Sequence, residues 1–255
     1  MPVADFSLEG KVAIVTGGSR GIGRSIAIGL AEHGADVALA ARKPEALGEA
    51  VAAVESTGRR ALAVPTNVRR REELRRLVET TQSELGRVDI LVNNAGTNPV
   101  YGPIQDVDER AWDVIMNTNV TSVHFLSADA REAMLRHGEG GAIVNVSSVG
   151  GYRASDVIGG YSVSKAALIM LTQVQAKTWG KDGIRVNCIA PGLIRTEFAR
   201  ALWEDERTLR TSRAEAALGR IGEPDEMAGA VVYLCSPAAS FVTGQTLVLD
   251  GGRLL

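Results

Sequence analysis

Three side chains in the second half of the chain have types and spacing suited to moving a proton to or from an oxygen atom. Tyr161 and Lys165 stand four residues apart, and Ser148 lies thirteen residues before Tyr161. A helix through this stretch places the phenol and the ammonium on one face. A free phenol has a pKa of about 10, and a nearby cation lowers it. With a serine hydroxyl to hold a substrate oxygen, the trio predicts interconversion of a carbonyl and an alcohol.

Taken alone, the tyrosine–lysine spacing is more typical of a half-exposed helix with an extended surface lysine. The composition narrows the choice of protein class. The chain has 255 residues, 45% of them hydrophobic, and 28 glycines scattered along its length. These values indicate a packed domain with many tight turns. A net charge of −2 offers no field that would attract nucleic acid or anionic lipid.

Cysteine and histidine residues are few and isolated from one another. Cys188 and Cys235 lie in apolar stretches, and His33, His124 and His137 stand apart. A zinc-dependent alcohol dehydrogenase needs clustered ligands of these types, so we predict no metal site. Free thiols indicate a reducing compartment. No basic segment followed by an apolar core stands at the N-terminus, and no apolar run approaches the length of a membrane span, so we expect a cytoplasmic protein.

Short apolar runs alternate with longer helical patterns along the whole sequence. The predicted strands are Val12–Val15, Val37–Ala40, Ala61–Val64, Ile90–Val92, Ala142–Val146, Arg185–Ile189 and Thr246–Leu249. The predicted helices lie near 21–33, 44–57, 71–85, 108–137, 161–180 and 224–235. This alternation predicts an α/β fold with a doubly wound parallel sheet and right-handed crossovers.

No linker or repeat interrupts this pattern, so we predict one domain over residues 1–255. A charged, helix-prone segment at about 195–222 is longer than a plain connection needs to be. Such a segment beside an active site is typical of a substrate lid. A pair of surface helices is the alternative interpretation.

A glycine-rich loop follows the first predicted strand and precedes the first predicted helix. It runs from Thr16 to Gly23 and contains Gly17, Gly21 and Gly23. Glycines let the backbone approach a pyrophosphate, and the helix N-terminus supplies N–H donors. The loop lacks the Gly-Lys-Ser/Thr ending of a phosphate-hydrolysing P-loop. We therefore predict a dinucleotide site.

The end of the second strand indicates which dinucleotide is bound. A site for NAD places a carboxylate there for the ribose 2′-hydroxyl. This chain has Ala41 at that position, followed by Arg42, and Arg20 of the glycine loop can reach the same place. Two guanidinium groups suit a 2′-phosphate. We predict that the site binds NADP(H), with NAD(H) as the weaker alternative. The structural alternative is that both arginines are solvated surface charges.

Taken together, these motifs resemble the short-chain dehydrogenase/reductase family over nearly the whole chain. The resemblance rests on the glycine loop, Asn93–Gly96, Asn119, Ser148, the Tyr161–Lys165 motif, and Pro191-Gly192 followed by Thr196. The stretches 97–101 and 190–203 are most similar to the NADPH-dependent carbonyl and retinal reductases of the family. The resemblance implies a Rossmann-type sheet of about seven strands, in the order 3-2-1-4-5-6-7, with helices on both faces.

The resemblance also implies roles for individual residues. The catalytic set is Asn119, Ser148, Tyr161 and Lys165, with Asn119 orienting a water for proton relay and Lys165 also holding the nicotinamide ribose. The implied cofactor-binding residues are Gly17, Ser19, Arg20, Gly21, Ile22, Gly23, Arg42, Asn67, Val68, Asn94, Ala95, Gly96, Tyr161, Lys165, Pro191, Gly192, Ile194 and Thr196. Asn67 departs from the usual aspartate against the adenine, although an amide can still bond a base.

The substrate is a small carbonyl compound or alcohol whose identity the sequence does not give. We expect an apolar pocket built from Val149, Tyr152, Val157, Ile158, Leu193, Phe198, Leu202 and Trp203. Arg153, Arg195 and Arg200 are interpreted as surface charges, with recognition of an anionic group as the alternative.

Two rival functions remain: reduction of 3-oxoacyl thioesters, which shares every motif, and a non-catalytic NADP(H) sensor. Glu72 and Glu73 lie between the basic residues Arg69–Arg71 and Arg75–Arg76, so we predict a solvated helix face and no nucleic-acid partner. The resemblance implies a homotetramer, with the helices at 108–137 and 161–180 at one interface and the C-terminal strand at another.

Overall fold

The computed structural model describes residues 3–255, so Met1 and Pro2 of the predicted domain lie outside the described residues. Its centre is a parallel sheet in which seven strands lie in the order β3-β2-β1-β4-β5-β6-β7. The strands are β1 Val12–Thr16, β2 Asp36–Ala41, β3 Ala61–Pro65, β4 Ile90–Asn93, β5 Gly141–Val146, β6 Ile184–Pro191 and β7 Thr246–Leu249. The predicted strands and their order are confirmed.

Helices connect the strands. They are α1 Gly21–Glu32, α2 Glu45–Glu55, α3 Arg71–Leu85, α4 Glu109–Met116, α5 Ser122–His137, α6 Gly159–Trp179, α7 Arg200–Trp203, α8 Glu206–Glu215 and α9 Ala228–Cys235. Strands that follow one another in the chain are joined by helical crossovers, because parallel strands cannot be joined by a tight turn.

Neighbouring residues of each central strand face two separate cores. On β1, Ala13 and Val15 pack into a cluster with residues of α1, α2 and α9. Val12 and Ile14 of the same strand pack into a second cluster with residues of α3, α5 and α6. All four side chains are buried. Because both faces of the strands are buried, the strand sequences are continuous apolar runs.

The strand order reverses direction beside β1, and this determines where a ligand can bind. β1 pairs with β2 on one side and with β4 on the other. The chain therefore leaves β1 and β4 toward opposite faces of the sheet, which opens a crevice at their carboxyl ends. The glycine loop and residues 94–97 both begin at this edge.

The predicted helix at 108–137 is not continuous. Asn117–Thr121 forms a π-helical turn between α4 and α5, closed by a hydrogen bond from the Ser122 N–H to the Asn117 carbonyl. A π turn accommodates one extra residue and is frequent at functional sites. Here it holds Asn119, which the sequence marked only by resemblance.

An ion-pair network stabilises the opposite, amino-terminal edge of the sheet. The buried carboxylate of Asp89 accepts hydrogen bonds from the Val12 N–H at 3.0 Å and from Arg87 Nε at 2.8 Å. Asp89, His137 and Glu139 are close enough to offer ligand atoms to one cation. Lys11 and Arg87 already contact the same carboxylates, so these atoms serve as ion-pair partners in the fold.

Candidate active site

A cleft of about 1120 Å³ opens at the carboxyl edge of the sheet. Its walls include every residue that the sequence assigned to cofactor binding, and also Ser148. Asn119 is the one predicted site residue that does not line the cleft. The fold therefore gathers residues from distant parts of the chain into one crevice.

The glycine loop is held against the strand edge so closely that side chains do not fit. At Gly17, φ is +65°, and an added Cβ would lie 2.7 Å from Asn94 Nδ2. At Gly23, an added Cβ would lie 2.3 Å from the Gly17 carbonyl oxygen. The loop leads directly into α1, and the first residues of this helix, Gly21, Ile22 and Gly23, line the cleft. The first N–H groups of a helix have no partner within the helix and can bind an anion. This geometry fits a pyrophosphate.

Asn94 and Thr16 fix the shape of this loop. The Asn94 side chain donates to the carbonyl oxygens of Thr16 at 2.9 Å and Gly17 at 3.2 Å. The Thr16 hydroxyl accepts from the backbone N–H groups of Asn94 and Ala95 at 3.0 and 3.1 Å. The turns after β1 and β4 are thus bound to each other, which makes the crevice a rigid feature of the fold.

Two exposed arginines, Arg20 and Arg42, line the cleft near the end of β2. Neither forms an ion pair with any residue between 3 and 255. Ala41 stands at the end of β2, so no carboxylate projects from that position. A phosphate ester fits such a pair of guanidinium groups, because each can donate two parallel hydrogen bonds.

Lys165 is buried and incompletely paired. The residue is 3% exposed, and its Nζ donates to the Val146 carbonyl at 2.7 Å. An ammonium has three donors, and Val146 supplies the only acceptor recorded within residues 3–255. Burial lowers the pKa of Lys165 to about 8. Lys165 lines the cleft, so a ligand with hydroxyl groups can accept hydrogen bonds from its two remaining donors.

The pKa of Tyr161 corrects a sequence-based expectation. The Lys165 ammonium lies 5.3 Å from the centre of the Tyr161 ring, so the two share one face of α6 as predicted. We expected this cation to lower the pKa of the phenol. Burial instead raises the pKa of Tyr161 well above its ordinary value, and the Ser148 hydroxyl lowers it only in part. In this structure the phenol is held in its protonated form.

The two serines that follow β5 have different surroundings. The Ser147 hydroxyl donates to the Lys165 carbonyl at 2.8 Å, so it serves the packing of α6. The Ser148 hydroxyl accepts from the Gly150 N–H at 3.1 Å. Unlike the Ser147 hydroxyl, it also acts on the Tyr161 phenol, so it lies at the reacting end of the cleft. This difference agrees with the choice of Ser148 over Ser147.

Asn119 lies behind the cleft wall and is fully buried. Its side chain exchanges two hydrogen bonds with the backbone of Thr97, accepting from the N–H at 2.9 Å and donating to the carbonyl at 3.0 Å. It also donates to the Ser164 hydroxyl at 2.9 Å. Through Asn119, the π turn therefore connects the loop after β4 to α6. The contact on α6 is Ser164, which lies between Tyr161 and Lys165 in the sequence.

The segment after β6 closes the other side of the cleft. An added Cβ at Gly192 would lie 2.9 Å from the Asp250 backbone. The Arg195 N–H donates to the Gly222 carbonyl at 2.9 Å, which closes the base of the 195–222 segment. Thr196 lies against Gly21 of the glycine loop. The predicted cofactor residues Pro191, Gly192, Ile194 and Thr196 thus face the loop that precedes α1.

The predicted pocket wall is only partly correct. Six of its eight apolar residues line the cleft: Val149, Val157, Ile158, Leu193, Phe198 and Leu202. Tyr152 points away and is 51% exposed, and Trp203 donates through Nε1 to the Thr196 carbonyl at 2.7 Å, outside the lining. Arg195 and Arg200 form surface ion pairs, whereas Arg153 lines the cleft.

Sequence reasoning missed a set of polar lining residues at one end of the cleft. They are Asp205, Arg207, Thr208, Thr211 and Ser212 of the 195–222 segment, and Arg253 near the C-terminus. These residues carry no motif, and only the packing of α8 against the last residues of the chain brings them together.

Comparison with known proteins supports the fold and the family. Residues 17–253 match a family model described as enoyl-(acyl carrier protein) reductase. Dehydrogenase/reductase SDR family member 4 of Bos taurus is 42% identical over 247 residues, which cover 97% of this chain and 88% of the relative. A Sinorhizobium meliloti protein described as a short-chain alcohol dehydrogenase has a TM-score of 0.94 at 42% identity, covering 99% of both chains.

Two further similar structures contain a nicotinamide cofactor. A 7α-hydroxysteroid dehydrogenase bound to NADH and 7-oxo glycochenodeoxycholic acid has a TM-score of 0.94 at 34% identity, covering 99% of this chain and 97% of that one. A gluconate 5-dehydrogenase from Burkholderia cenocepacia, bound to NADP and tartrate, has a TM-score of 0.93 at 33% identity, covering 99% and 98%.

The chain belongs to the short-chain dehydrogenase/reductase family, whose members are NAD(P)-binding oxidoreductases of carbonyl compounds and alcohols. Its glycine loop, its two unpaired arginines and the free donors of Lys165 fit such a cofactor. Within residues 3–255, no helix is long and apolar enough to cross a membrane.

The glycine loop gives a first testable prediction. Gly23→Ala places a methyl group against the Gly17 carbonyl, and overpacking of this kind costs about 1–3 kcal/mol. We expect NADPH binding, measured by fluorescence titration, to weaken by about tenfold or more. Gly48→Ala is the control, because its Cβ would meet nothing within 4 Å and should leave binding unchanged. Unaltered NADPH affinity in Gly23→Ala would contradict this account of the loop.

Proposed function

We propose that this protein is an NADP(H)-dependent oxidoreductase that interconverts a ketone or aldehyde with the corresponding alcohol. The observation that carries the proposal is the position of Tyr161, Lys165 and Ser148 in one cleft with the glycine loop. A proton donor, a hydroxyl donor and a buried cation are there combined with a dinucleotide-shaped loop. When bound, the nicotinamide supplies the hydride for reduction or accepts it in oxidation.

In the direction of reduction, Ser148 and Tyr161 act on the substrate oxygen. The Ser148 hydroxyl donates a hydrogen bond to the carbonyl oxygen and polarises it. The Tyr161 phenol, held protonated by its buried position, donates a proton to the same oxygen as negative charge develops there. Because burial keeps the phenol protonated, Tyr161 carries the proton that the reductive direction needs.

Lys165 and Asn119 restore the proton. The Lys165 ammonium lies beside the Tyr161 ring and stabilises the phenolate left after proton transfer. An added Cβ at Gly96 would be 3.6 Å from both Asn119 Oδ1 and Lys165 Nζ, so these atoms border the same space. A water in this space relays the proton from solvent to Tyr161. Asn119 acts as a positioning residue, since its bonds to Thr97 fix that loop.

The preference for NADP(H) rests on charge at the end of β2. Arg20 and Arg42 are free of ion pairs among residues 3–255, and Ala41 removes the carboxylate that would bind a 2′-hydroxyl. A charge-assisted hydrogen bond contributes about 1.5–3 kcal/mol, which corresponds to roughly ten- to hundredfold in affinity. Asn67 and Val68 line the same end of the cleft and accommodate the adenine.

Residues 195–222 act as a lid on a single catalytic domain spanning the chain. The entry to this segment crosses the site, because the Phe198 ring lies 6.0 Å from the Tyr161 ring. The Tyr101 hydroxyl donates to the Phe198 carbonyl at 3.2 Å, which ties the lid to the loop after β4. The aromatic cover excludes water from the phenol and favours a substrate with an apolar group next to its carbonyl.

Reduction of 3-oxoacyl thioesters is the second candidate. The description of the matching family model, enoyl-(acyl carrier protein) reductase, names a thioester on the same kind of carrier, although that reaction reduces a carbon–carbon double bond. A panel of free ketones and aldehydes, tested beside acetoacetyl-coenzyme A with NADPH and NADH, separates the two functions. We expect the free carbonyl compounds to be the better substrates. We also expect the protein to work in the cytoplasm.

A stripe on α6 suggests how copies of the chain assemble. Val163, Met170 and Val174 occupy one face of this helix and are 46%, 57% and 53% exposed. Phe125 of α5 is also exposed, and so is Leu247 on β7 at the edge of the sheet. Exposed apolar side chains at helical spacing are typical of an interface. We expect a homotetramer that uses α5, α6 and β7.

The proton donor can be tested by removing one oxygen atom. Tyr161→Phe should lower kcat for ketone reduction by about 10²- to 10⁴-fold, the usual contribution of a general acid, and should keep NADPH affinity within about twofold. Tyr152→Phe makes the same chemical change outside the cleft and should retain full activity. Wild-type turnover by Tyr161→Phe would exclude the proposed mechanism.

Cofactor choice is tested through Arg42. In Arg42→Ala, the ratio of kcat/KM for NADPH to that for NADH should fall by about ten- to hundredfold, because one phosphate-binding group is lost. Arg136→Ala removes a guanidinium that bonds Gln82 on the surface and should not change the ratio. An unchanged ratio in Arg42→Ala would mean that the 2′-phosphate is bound elsewhere or not at all.

The assembly is tested by adding a charge to the α6 stripe. Met170→Glu should break the tetramer into smaller species in multi-angle light scattering, since it buries an unpaired charge at the interface. Ser83→Glu adds the same charge to the exposed surface of α3 and should leave the tetramer intact. A monomeric wild-type protein would show the assembly proposal to be wrong.

A further inference from the structure

The 195–222 segment, the loop after β5 and the C-terminal residues meet at the carboxylate of Glu215. Glu215, the last residue of α8, accepts from Arg253 Nε at 2.8 Å and from Arg153 Nη2 at 3.1 Å. Arg153 follows Ser148 in the loop after β5, and both arginines line the cleft, whereas Glu215 lies outside the lining. Two guanidinium groups therefore share one carboxylate. Their remaining N–H donors belong to the cleft wall.

A buried hydroxyl lies one helical turn before Glu215. Ser212 is 3% exposed and lines the cleft, and its Oγ has no hydrogen-bond partner among the described residues. Residues three apart on a helix share a face, so Ser212 and Glu215 point to the same side of α8. An unsatisfied buried hydroxyl costs about 1–3 kcal/mol, and a ligand atom that accepts its proton removes this cost.

The other acidic residues at this end of the cleft do not neutralise the second of the two guanidinium groups that share Glu215. Asp205 is occupied as the N-cap of α8, where it accepts from the Thr208 N–H at 2.8 Å. Glu197 pairs with Arg200 at 3.6 Å. Asp156 is exposed to solvent, where its charge is screened. The partly buried Arg253 and Ser212 line the same cleft, and Glu215 is the one carboxylate recorded with both arginines.

We propose that Arg153, Arg253 and Ser212 form a subsite for a carboxylate that the substrate carries at a distance from its reacting carbonyl. A carboxylate accepts one hydrogen bond from each of these groups and neutralises the second guanidinium, which Glu215 leaves uncompensated. The substrate class is an oxo acid in the reductive direction and the matching hydroxy acid in oxidation. The lid then closes on the distal group, because Ser212 and Glu215 both belong to α8.

This inference rests on the proposed function, so its test includes neutral substrates that report on that function separately. The probes are straight-chain methyl ketones that end in a carboxylate, in a series of lengths, and the primary amides of the same lengths. The amide keeps size and polarity but loses the charge. At the matching length, we expect kcat/KM for the acid to exceed that for the amide by about tenfold or more.

Arg153→Gln is the decisive variant, because this side chain is 57% exposed and its exposed ion pair contributes little to stability. It should reduce the acid-to-amide ratio by about tenfold, through KM for the acid. Ser212→Ala should lower the same ratio less. Arg200→Gln, a lid arginine outside the cleft lining, is the matched control and should not change it.

The possible outcomes separate the two proposals. Turnover of both acids and amides with equal efficiency at every length, or an unchanged ratio in Arg153→Gln, would overturn the carboxylate subsite while keeping the oxidoreductase function. If neither series is turned over, calorimetric titration with the same acids and amides decides the matter. Tighter binding of the acid, lost in Arg153→Gln, supports the subsite, and equal binding overturns it.

Discussion

The burial of one ammonium group organises the site. Lys165 is 3% exposed, yet Val146 supplies its single recorded protein acceptor, so the fold carries a costly, incompletely satisfied cation. Burial lowers the pKa of Lys165 to about 8, which leaves it a cation at neutral pH. Such a group is retained at a cost in stability because it binds a ligand or acts on a neighbour. Here the neighbour is Tyr161, on the same face of α6.

The surrounding structure keeps that ammonium in place. Ser147 bonds the Lys165 carbonyl, Ser164 bonds the Tyr161 carbonyl, and Asn119 bonds Ser164. The π turn that presents Asn119 also fixes Thr97 on the loop after β4. The first turns of α6 are therefore anchored to both neighbouring loops. This rigidity positions the phenol to within the small tolerance that proton transfer requires.

Much of the fold and of the candidate site could be predicted from the sequence, because they depend on local patterns. These patterns are the apolar runs of strands covered on both faces, the glycine loop, and the helix face shared by Tyr161 and Lys165. Two features could not be predicted. The π turn at 117–121 depends on how α4 and α5 pack, and no residue type marks it. The raised pKa of Tyr161 depends on burial in the folded cleft, which local sequence patterns do not show. The polar end of the cleft, at Ser212 and Arg253, arises only from tertiary packing.

The central claim is that this cleft passes a hydride between a nicotinamide and a carbonyl carbon while Tyr161 protonates the oxygen. The most direct measurement supplies NADPH deuterated on one face of nicotinamide C4 with a methyl ketone, and locates the label in the alcohol by mass spectrometry and NMR. We predict one deuterium on the carbinol carbon from one cofactor face and none from the other. An alcohol without deuterium from either face, or no alcohol at all across a ketone panel, would contradict the account.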